Sequence, residues 1–180
     1  MSSPHAQTRY QVRFDHGHDG AARIAGGADA VVWADAIPGG ATQPHASSAP
    51  GAAQLVAGPG SAAATAAWLL QLQVDLGRRA MIAIVAVGGE GGRPAVEDQL
   101  LAGAVVDELM ALGIDATSPE AALVGAAATA LRGAYAHLLT ASVSGQERAA
   151  LGEGDAVIAA ARAVGGQPTV LAEHPERVGA

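Results

Sequence analysis

A glycine-rich stretch in the middle of the chain carries charged residues that could bind a metal and an anion together. The stretch, Gly88-Gly89-Glu90-Gly91-Gly92-Arg93, is followed closely by Glu97 and Asp98. Glycines let backbone N–H groups approach an anion, and an arginine can bind a phosphate through two parallel hydrogen bonds. Several carboxylates beside an anion favour a hard cation between them, and Mg²⁺ is held by one or two carboxylates with water and phosphate oxygens. The predicted phosphate ligands are Gly88, Gly89 and Arg93.

A purely structural explanation of these charges stays open. Glu97 and Asp98 fall in the first turn of a predicted helix, where each carboxylate interacts favourably with the helix dipole by about 0.3–1 kcal/mol. Arg93 could equally be an ordinary surface charge. The spacing alone therefore leaves both interpretations in place.

Asp35 is a second acidic candidate, near the end of a predicted buried strand and just before Pro38-Gly39-Gly40. A carboxylate in such a position is costly to bury without a partner. It could be a metal ligand or a general base, or it could accept hydrogen bonds within a turn. Ile37 stands where an aspartyl-phosphate mechanism commonly has a second aspartate, so we do not assign Asp35 as a covalent nucleophile.

Two further sets of polar residues give weaker signals. Ser61 follows Gly58-Pro59-Gly60 and could contact a phosphate, although capping of the next helix explains it as well. His16 and His18 are spaced to share one face of a strand and could bind a transition metal with neighbouring aspartates. A solvated turn over residues 15–20 is the preferred interpretation.

Composition excludes several classes of chemistry. The 180-residue chain contains neither lysine nor cysteine, and its 10 basic residues are all arginines. It has no lysine for a Walker A loop or a pyridoxal Schiff base and no thiolate for a metal site or nucleophile. A net charge of −7 makes nucleic acid a poor partner. No segment reaches the roughly 18–20 continuous apolar residues that cross a bilayer, and the polar start is unlike a signal peptide, so we expect a cytoplasmic protein without membrane contact.

The hydrophobic pattern predicts the elements that must position these residues. The most apolar run, residues 80–87, is typical of a central parallel strand buried on both faces. Alternation of such runs with helical periodicity predicts an α/β fold, a single domain with a mainly parallel sheet flanked by helices. The predicted strands are 10–14, 29–37, 53–57, 80–87 and 168–171. The predicted helices are 20–25, 61–76, 94–112, 118–139, 146–151 and 155–164.

The same pattern predicts the organisation of the chain. Residues 1–9 are expected to be a flexible tail, residues 10–171 one domain with a long loop at 38–60, and residues 172–180 a second tail. The helix that starts at Pro119 is rich in small residues. It could pack against another copy of the chain in a homo-oligomer, or it could cover the sheet.

Two stretches of the chain resemble the 2-phosphosulfolactate phosphatases. That family has a strand ending in Asp-Val-Leu-Arg, a later strand running into Gly-Glu, and a helix opening with Glu-Asp followed by Ala-Gly-Ala. The corresponding residues here are Asp35-Ala36-Ile37-Pro38, Gly89-Glu90, Glu97-Asp98 and Ala102-Gly103-Ala104. The likeness is strongest over residues 82–109, and Leu151-Gly152-Glu153-Gly154-Asp155 adds a match to the family's late Leu-Gly and Asp pattern.

The resemblance implies an α/β fold and Mg²⁺-dependent hydrolysis of a small acidic phosphate monoester, with 2-phospho-3-sulfolactate as the family's substrate, on a route to coenzyme M. It implies that four acidic positions surround the metal and phosphate. Asp35, Glu90 and Glu97 are the candidate metal ligands. Asp35, Glu97 and Asp98 are the candidate catalytic carboxylates.

A second hypothesis follows from two departures from the family pattern. Pro38 stands where the family has an arginine, and the segment from Gly39 to Gly60 lacks a match to the family's Thr-Thr-Asn-Gly-Thr-like phosphate loop. These differences favour a non-catalytic descendant that keeps the fold as an anion-binding or assembly module.

Overall fold

A computed structural model describes residues 3–40 and 49–177, and these residues build an α/β domain on one five-stranded sheet. The strands are β1 (Val12–His16), β2 (Ala30–Ala34), β3 (Ala53–Ala57), β4 (Ile82–Ala86) and β5 (Thr169–Ala172). Their order across the sheet is β1-β4-β2-β3-β5, and only β5 runs antiparallel to its neighbour. The predicted α/β fold with a mainly parallel sheet is confirmed.

Helices cover both faces of this sheet. They are α1 (Gly17–Ile24), α2 (Ala62–Asp75), α3 (Val96–Ala111), α4 (Pro119–Leu131), α5 (Tyr135–Ala141), α6 (Val143–Arg148) and α7 (Gly154–Arg162). Helices α2 and α3 match the predicted segments closely. The predicted helix over 118–139 is interrupted by a 3₁₀ turn, Arg132–Ala134, at one of its two glycines, and α5 continues beyond it.

Alternate residues of the central strands enter two separate cores. Val32 and Ile84 pack with α2, α3 and α4 on one face, whereas Val31 and Val85 pack with α1 on the other. Every residue of β2 and β4 is buried as a result. This arrangement explains why these strands are continuous apolar runs without polar alternation.

Both predicted tails need correction within the described residues. Gln7 is buried because its Nε2 donates to the Phe14 carbonyl at 2.9 Å and its Oε1 accepts from the Phe14 N–H at 3.0 Å. At the other end, β5 extends to Ala172, and His174 is buried with its Nε2 3.7 Å from Asp29 Oδ1. Gln7 and His174 therefore anchor these two segments to the domain.

The structure differs from the prediction just after β1 and agrees with it at β3. The expected turn over residues 15–20 is wrong, since β1 ends at His16 and α1 begins at Gly17. The short strand at 53–57 is confirmed within the predicted loop over 38–60, of which residues 41–48 lie outside the described part of the chain.

The small residues of α4 serve a contact within the chain. A Cβ on Gly103 of α3 would lie 2.1 Å from the Val124 carbonyl oxygen, and a Cβ on Gly125 would lie 3.1 Å from Val106 Cγ1. The two backbones therefore approach more closely than side chains at these positions allow. Among the described helices, none is both long and apolar enough to span a membrane.

Gly103→Ala tests this packing. The added methyl group must push α4 away from α3, so we expect a loss of about 1–3 kcal/mol in the free energy of unfolding, the usual cost of overpacking. Urea unfolding followed by circular dichroism measures it. Gly133→Ala is the matched control because a Cβ there meets nothing within 4 Å. Equal stability of the two variants would contradict the close contact.

Candidate active site

The parallel register brings three segments to one edge of the sheet. Ala34 at the end of β2 lies opposite Ala86 at the end of β4, so the chain after each strand leaves the sheet side by side. The first turn of α3 then returns to the same edge. These segments and α6 surround a cleft of about 520 Å³. The sequence-predicted residues that line it are Asp35, Gly88, Gly89, Glu90, Glu97 and Asp98.

Asp98 joins the two loops that follow β2 and β4. Its Oδ1 accepts the Ala36 N–H at 2.8 Å, and its Oδ2 accepts the Gly88 N–H at 2.9 Å. Burial and, less strongly, the nearby charges of Asp35 and Glu97 raise the pKa of Asp98 to about 7 against the two backbone hydrogen bonds, which lower it. Because each oxygen accepts an N–H from a different loop, Asp98 has a positioning role.

Asp35 and Glu97 line the same cleft as Asp98. Asp35 is 7 % exposed and Glu97 is 2 % exposed. Burial raises the pKa of Asp35 to about 6, and the charge of Glu97 adds to this effect, whereas a hydrogen bond from the Ile37 N–H and the charge of Arg148 oppose it. Within the described residues, the buried Oε2 of Glu97 has no hydrogen-bond partner.

The carboxylates of Asp35 and Glu97 fit a magnesium ion better than the predicted set of three, which also includes Glu90. Residues 3–40 and 49–177 contain no group of three His, Cys, Asp or Glu side chains placed to hold a metal. Glu90 is exposed on the short 3₁₀ turn Glu90–Gly92 at the rim, so it does not join Asp35 and Glu97. The unpartnered Glu97 oxygen next to a second carboxylate still suits a hard cation, since Mg²⁺ needs only one or two carboxylates.

The glycine-rich loop is bonded internally. The N–H of Gly88 donates to Asp98, and the N–H of Gly89 donates to the Arg93 carbonyl at 2.8 Å. Gly88 has a φ of +85°, and a Cβ there would lie 2.9 Å from the same carbonyl oxygen. Glycine is therefore required for the shape of the loop, and the predicted use of these two amides as phosphate donors is corrected.

Neither Arg93 nor Ser61 is a lining residue of the cleft. The Arg93 guanidinium lies against Gly89 and donates to Ser144 Oγ at 3.4 Å, which connects the loop to α6. Ser61 is fully buried, and its Oγ donates to the Gly58 carbonyl at 2.8 Å. It stands at the predicted N-cap position of α2, although its side chain accepts no hydrogen bond from an N–H of that helix.

His16 and His18, the two histidines of the predicted turn, lie against different aromatic residues. His16 packs edge-on against Phe14 with ring centroids 4.8 Å apart, and His18 packs against Trp33 at 5.2 Å. Phe14 and Trp33 belong to the cores on opposite faces of the sheet. The histidines therefore do not form a metal-binding pair.

Arg148 is a cleft residue that sequence reasoning missed. It extends from the end of α6, donating from Nη1 to the Gly39 carbonyl at 3.0 Å and from Nη2 to the Pro38 carbonyl at 3.2 Å. Its Nε also forms an ion pair with Glu153 Oε2 at 2.6 Å. No local pattern marks this arginine, because its partners at 38 and 39 are distant in sequence and only the fold brings them together.

Comparison with known proteins adds no relative. The chain matches no protein-family model, and no curated protein matches it. The geometry of the cleft must therefore carry the functional argument.

Asp98→Ala tests the bridge between the two loops. Loss of the carboxylate leaves the Ala36 and Gly88 N–H groups unpaired, so we expect their hydrogen exchange to accelerate about tenfold or more. Residue-resolved amide exchange by NMR measures this effect, with the Val32 amide in β2 as an internal reference. Asp115→Ala, at an exposed position, is the control variant. Unchanged exchange at Ala36 and Gly88 in Asp98→Ala would refute the bridge.

The pH dependence of stability tests the burial of Asp35. Its folded-state pKa lies above the ordinary value of 3.8, so the folded protein binds this proton more tightly than the unfolded chain. Stability from this group is present below about pH 4 and is lost as the pH rises through about 6. The shift from 3.8 to about 6, at about 1.4 kcal/mol per pKa unit, amounts to roughly 3 kcal/mol.

The free energy of unfolding should therefore fall less between about pH 4 and pH 7.5 in Asp35→Asn than in the wild type. Urea unfolding in the presence of a metal chelator gives the free energies, and the comparison of slopes cancels the titration of distant groups. Gly133→Ala, which removes no titratable group, should keep the wild-type slope. Parallel curves for wild type and Asp35→Asn would show that Asp35 is not buried beside Glu97.

Proposed function

We propose that the cleft binds a small acidic phosphate monoester and hydrolyses it with the help of Mg²⁺. The observation that carries this proposal is the buried Glu97 Oε2, which has no hydrogen-bond partner in the described part of the chain and lies beside the buried carboxyl group of Asp35. A buried carboxylate oxygen without a partner is unfavourable unless a cation or a proton compensates it. Mg²⁺ bound together with a phosphorylated ligand would supply the positive charge that compensates this oxygen.

Glu97 and Asp35 are the residues that would hold the ion. When bound, Mg²⁺ neutralises the charge that develops on phosphate oxygens. The chain's own residues do the positioning: Asp98 fixes the loops after β2 and β4, and Glu97 projects from the first turn of α3 between them. The Asp35 carboxylate orients the attacking water and accepts its proton. The water oxygen bonds to phosphorus as the ester P–O bond breaks, the leaving alkoxide takes a proton from bulk water, and Asp35 returns its proton to bulk water.

The substrate class follows from the resemblance to the 2-phosphosulfolactate phosphatases together with the small size of the cleft. A volume of about 520 Å³ suits a compact monoester rather than a polymer. We therefore propose 2-phospho-3-sulfolactate, or a carboxylated analogue such as 2-phospholactate, as the substrate, and the cytoplasm as the location.

A non-catalytic anion-binding module is the second candidate. It is favoured by Pro38, which stands where the family that the chain resembles has an arginine and so leaves the loop after β2 without that cation. Such a module would bind phosphate at this cleft without releasing it from an ester.

Phosphate release from 2-phospho-3-sulfolactate and 2-phospholactate separates the two candidates. We expect release that depends on Mg²⁺, stops after chelation, and falls at least about 100-fold in Glu97→Gln, since loss of a charged group that holds the ion removes several kcal/mol of transition-state stabilisation. Glu120→Gln, at an exposed position on α4, should behave as the wild type.

The thermal unfolding midpoint provides the complementary measurement. A rise with Mg²⁺ plus inorganic phosphate in the wild type, absent in Glu97→Gln, supports the metal site. A rise with phosphate and no release from either monoester would favour the anion-binding module. Full activity of Glu97→Gln would overturn the proposed role of this residue.

A further inference from the structure

We infer that Arg148 binds the anionic group of the ligand in the cleft, so that α6 supplies the positive charge that the loops after β2 and β4 lack. The inference deepens the proposed function and rests on it for the identity of the anion as a phosphate.

The charges around the cleft single out this residue. Among the described residues that line it, Arg148 alone carries a positive side chain. The acidic residues of the same lining are Asp35, Glu90, Glu97, Asp98 and Glu147. Arg93, the cation expected at this place, is not itself a lining residue, and its Nη2 donates to the Oγ of Ser144, which does line the cleft. A phosphate entering so acidic a cleft needs a fixed cation, and Arg148 is the one cation of the described lining.

The guanidinium has donors left for a ligand. Arginine has five N–H donors. Two of them, one on each terminal nitrogen, donate to the Gly39 and Pro38 carbonyls. The Nε lies 2.6 Å from Glu153 Oε2 as an ion pair without hydrogen-bond geometry. Each terminal nitrogen carries a second N–H, and a hydrogen bond from such a charged donor to a phosphate is stronger than one from a neutral donor.

Three contacts hold the guanidinium in place before a ligand arrives. The Nε ion pair with Glu153 fixes one side, and the carbonyls of Pro38 and Gly39 fix the other. A Cβ on Gly39 would lie 3.0 Å from Arg148 Nη2 and would shift the guanidinium by a few tenths of an ångström, and the φ of +94° at this position also favours glycine. The π-helical turn Ala149–Glu153, with Gly152 at a φ of +86°, returns Glu153 to the arginine. A preorganised cation binds an anion with less loss of side-chain entropy.

Calorimetric titration with inorganic phosphate tests the inference on the full chain. The titrations compare wild type, Arg148→Gln, Arg148→Lys and the control Arg162→Gln, each in excess Mg²⁺ and again after chelation. Arg162 lies exposed on α7 and outside the cleft lining. We expect Arg148→Gln to weaken phosphate binding about tenfold or more, Arg148→Lys to weaken it less because the charge remains, and Arg162→Gln to leave it unchanged.

Activity measurements separate this inference from the proposed function. If hydrolysis occurs, Arg148→Gln should raise KM for the monoester by a factor similar to the loss in phosphate affinity. Arg148-dependent phosphate binding without hydrolysis supports the inference and refutes the proposed reaction. Hydrolysis with the same KM in Arg148→Gln refutes the inference and leaves the reaction standing. Phosphate affinity within about twofold of wild type in Arg148→Gln, or no phosphate binding by the wild type, also overturns it.

Folding of the variants is checked by their urea unfolding curves. Should Arg148→Gln prove unfolded, Arg148→Lys and Gly39→Ala take its place, since Gly39→Ala leaves Arg148 in the chain but displaces its guanidinium. We expect Gly39→Ala to weaken phosphate binding as well. Wild-type affinity in a folded Gly39→Ala protein and in Arg148→Lys would count against a role for the guanidinium.

Discussion

One buried carboxylate holds the candidate site together. Asp98 accepts one backbone N–H from the loop after β2 and one from the loop after β4, and it stands on the first turn of the helix that follows. Neither loop has another described side chain that spans the two. The parallel strands bring the loops to the same edge, but Asp98 fixes the distance between them. Asp35 and Glu97 owe their proximity to that bridge.

The cost of this arrangement is electrostatic. Three carboxyl groups are buried within one small region, and burial raises the pKa of both Asp35 and Asp98 toward neutrality. A protein selected for stability alone would place apolar residues there. Natural sites that concentrate like charges in this way are commonly sites of binding or catalysis, because a ligand can compensate what the fold cannot. The guanidinium of Arg148, next to the Pro38 and Gly39 carbonyls, offsets part of the negative charge.

The sequence predicts the sheet and the position of most acidic residues because hydrophobic runs and glycine breaks are local signals. Residues 80–87 and the helix after them are recognisable in this way, so Glu97 and Asp98 fall at the correct edge. Hydrogen-bond partners are not local. The pairing of Asp98 with Ala36 and the hydrogen bond from Arg148 to Gly39 depend on contacts between segments far apart in the chain.

The most direct test is a ¹³C NMR titration of the side-chain carboxyl carbons in the metal-free protein. The account predicts that the Asp98 carbon titrates with a midpoint near 7 and the Asp35 carbon with a midpoint near 6, while the carbon of Asp15, whose pKa the hydrogen bonds from Arg23 lower, titrates well below both. Addition of Mg²⁺ should shift the Asp35 midpoint to lower pH. Midpoints near 4 for both residues would show that the carboxyl groups are separate and solvated, and would contradict the site described for this cleft.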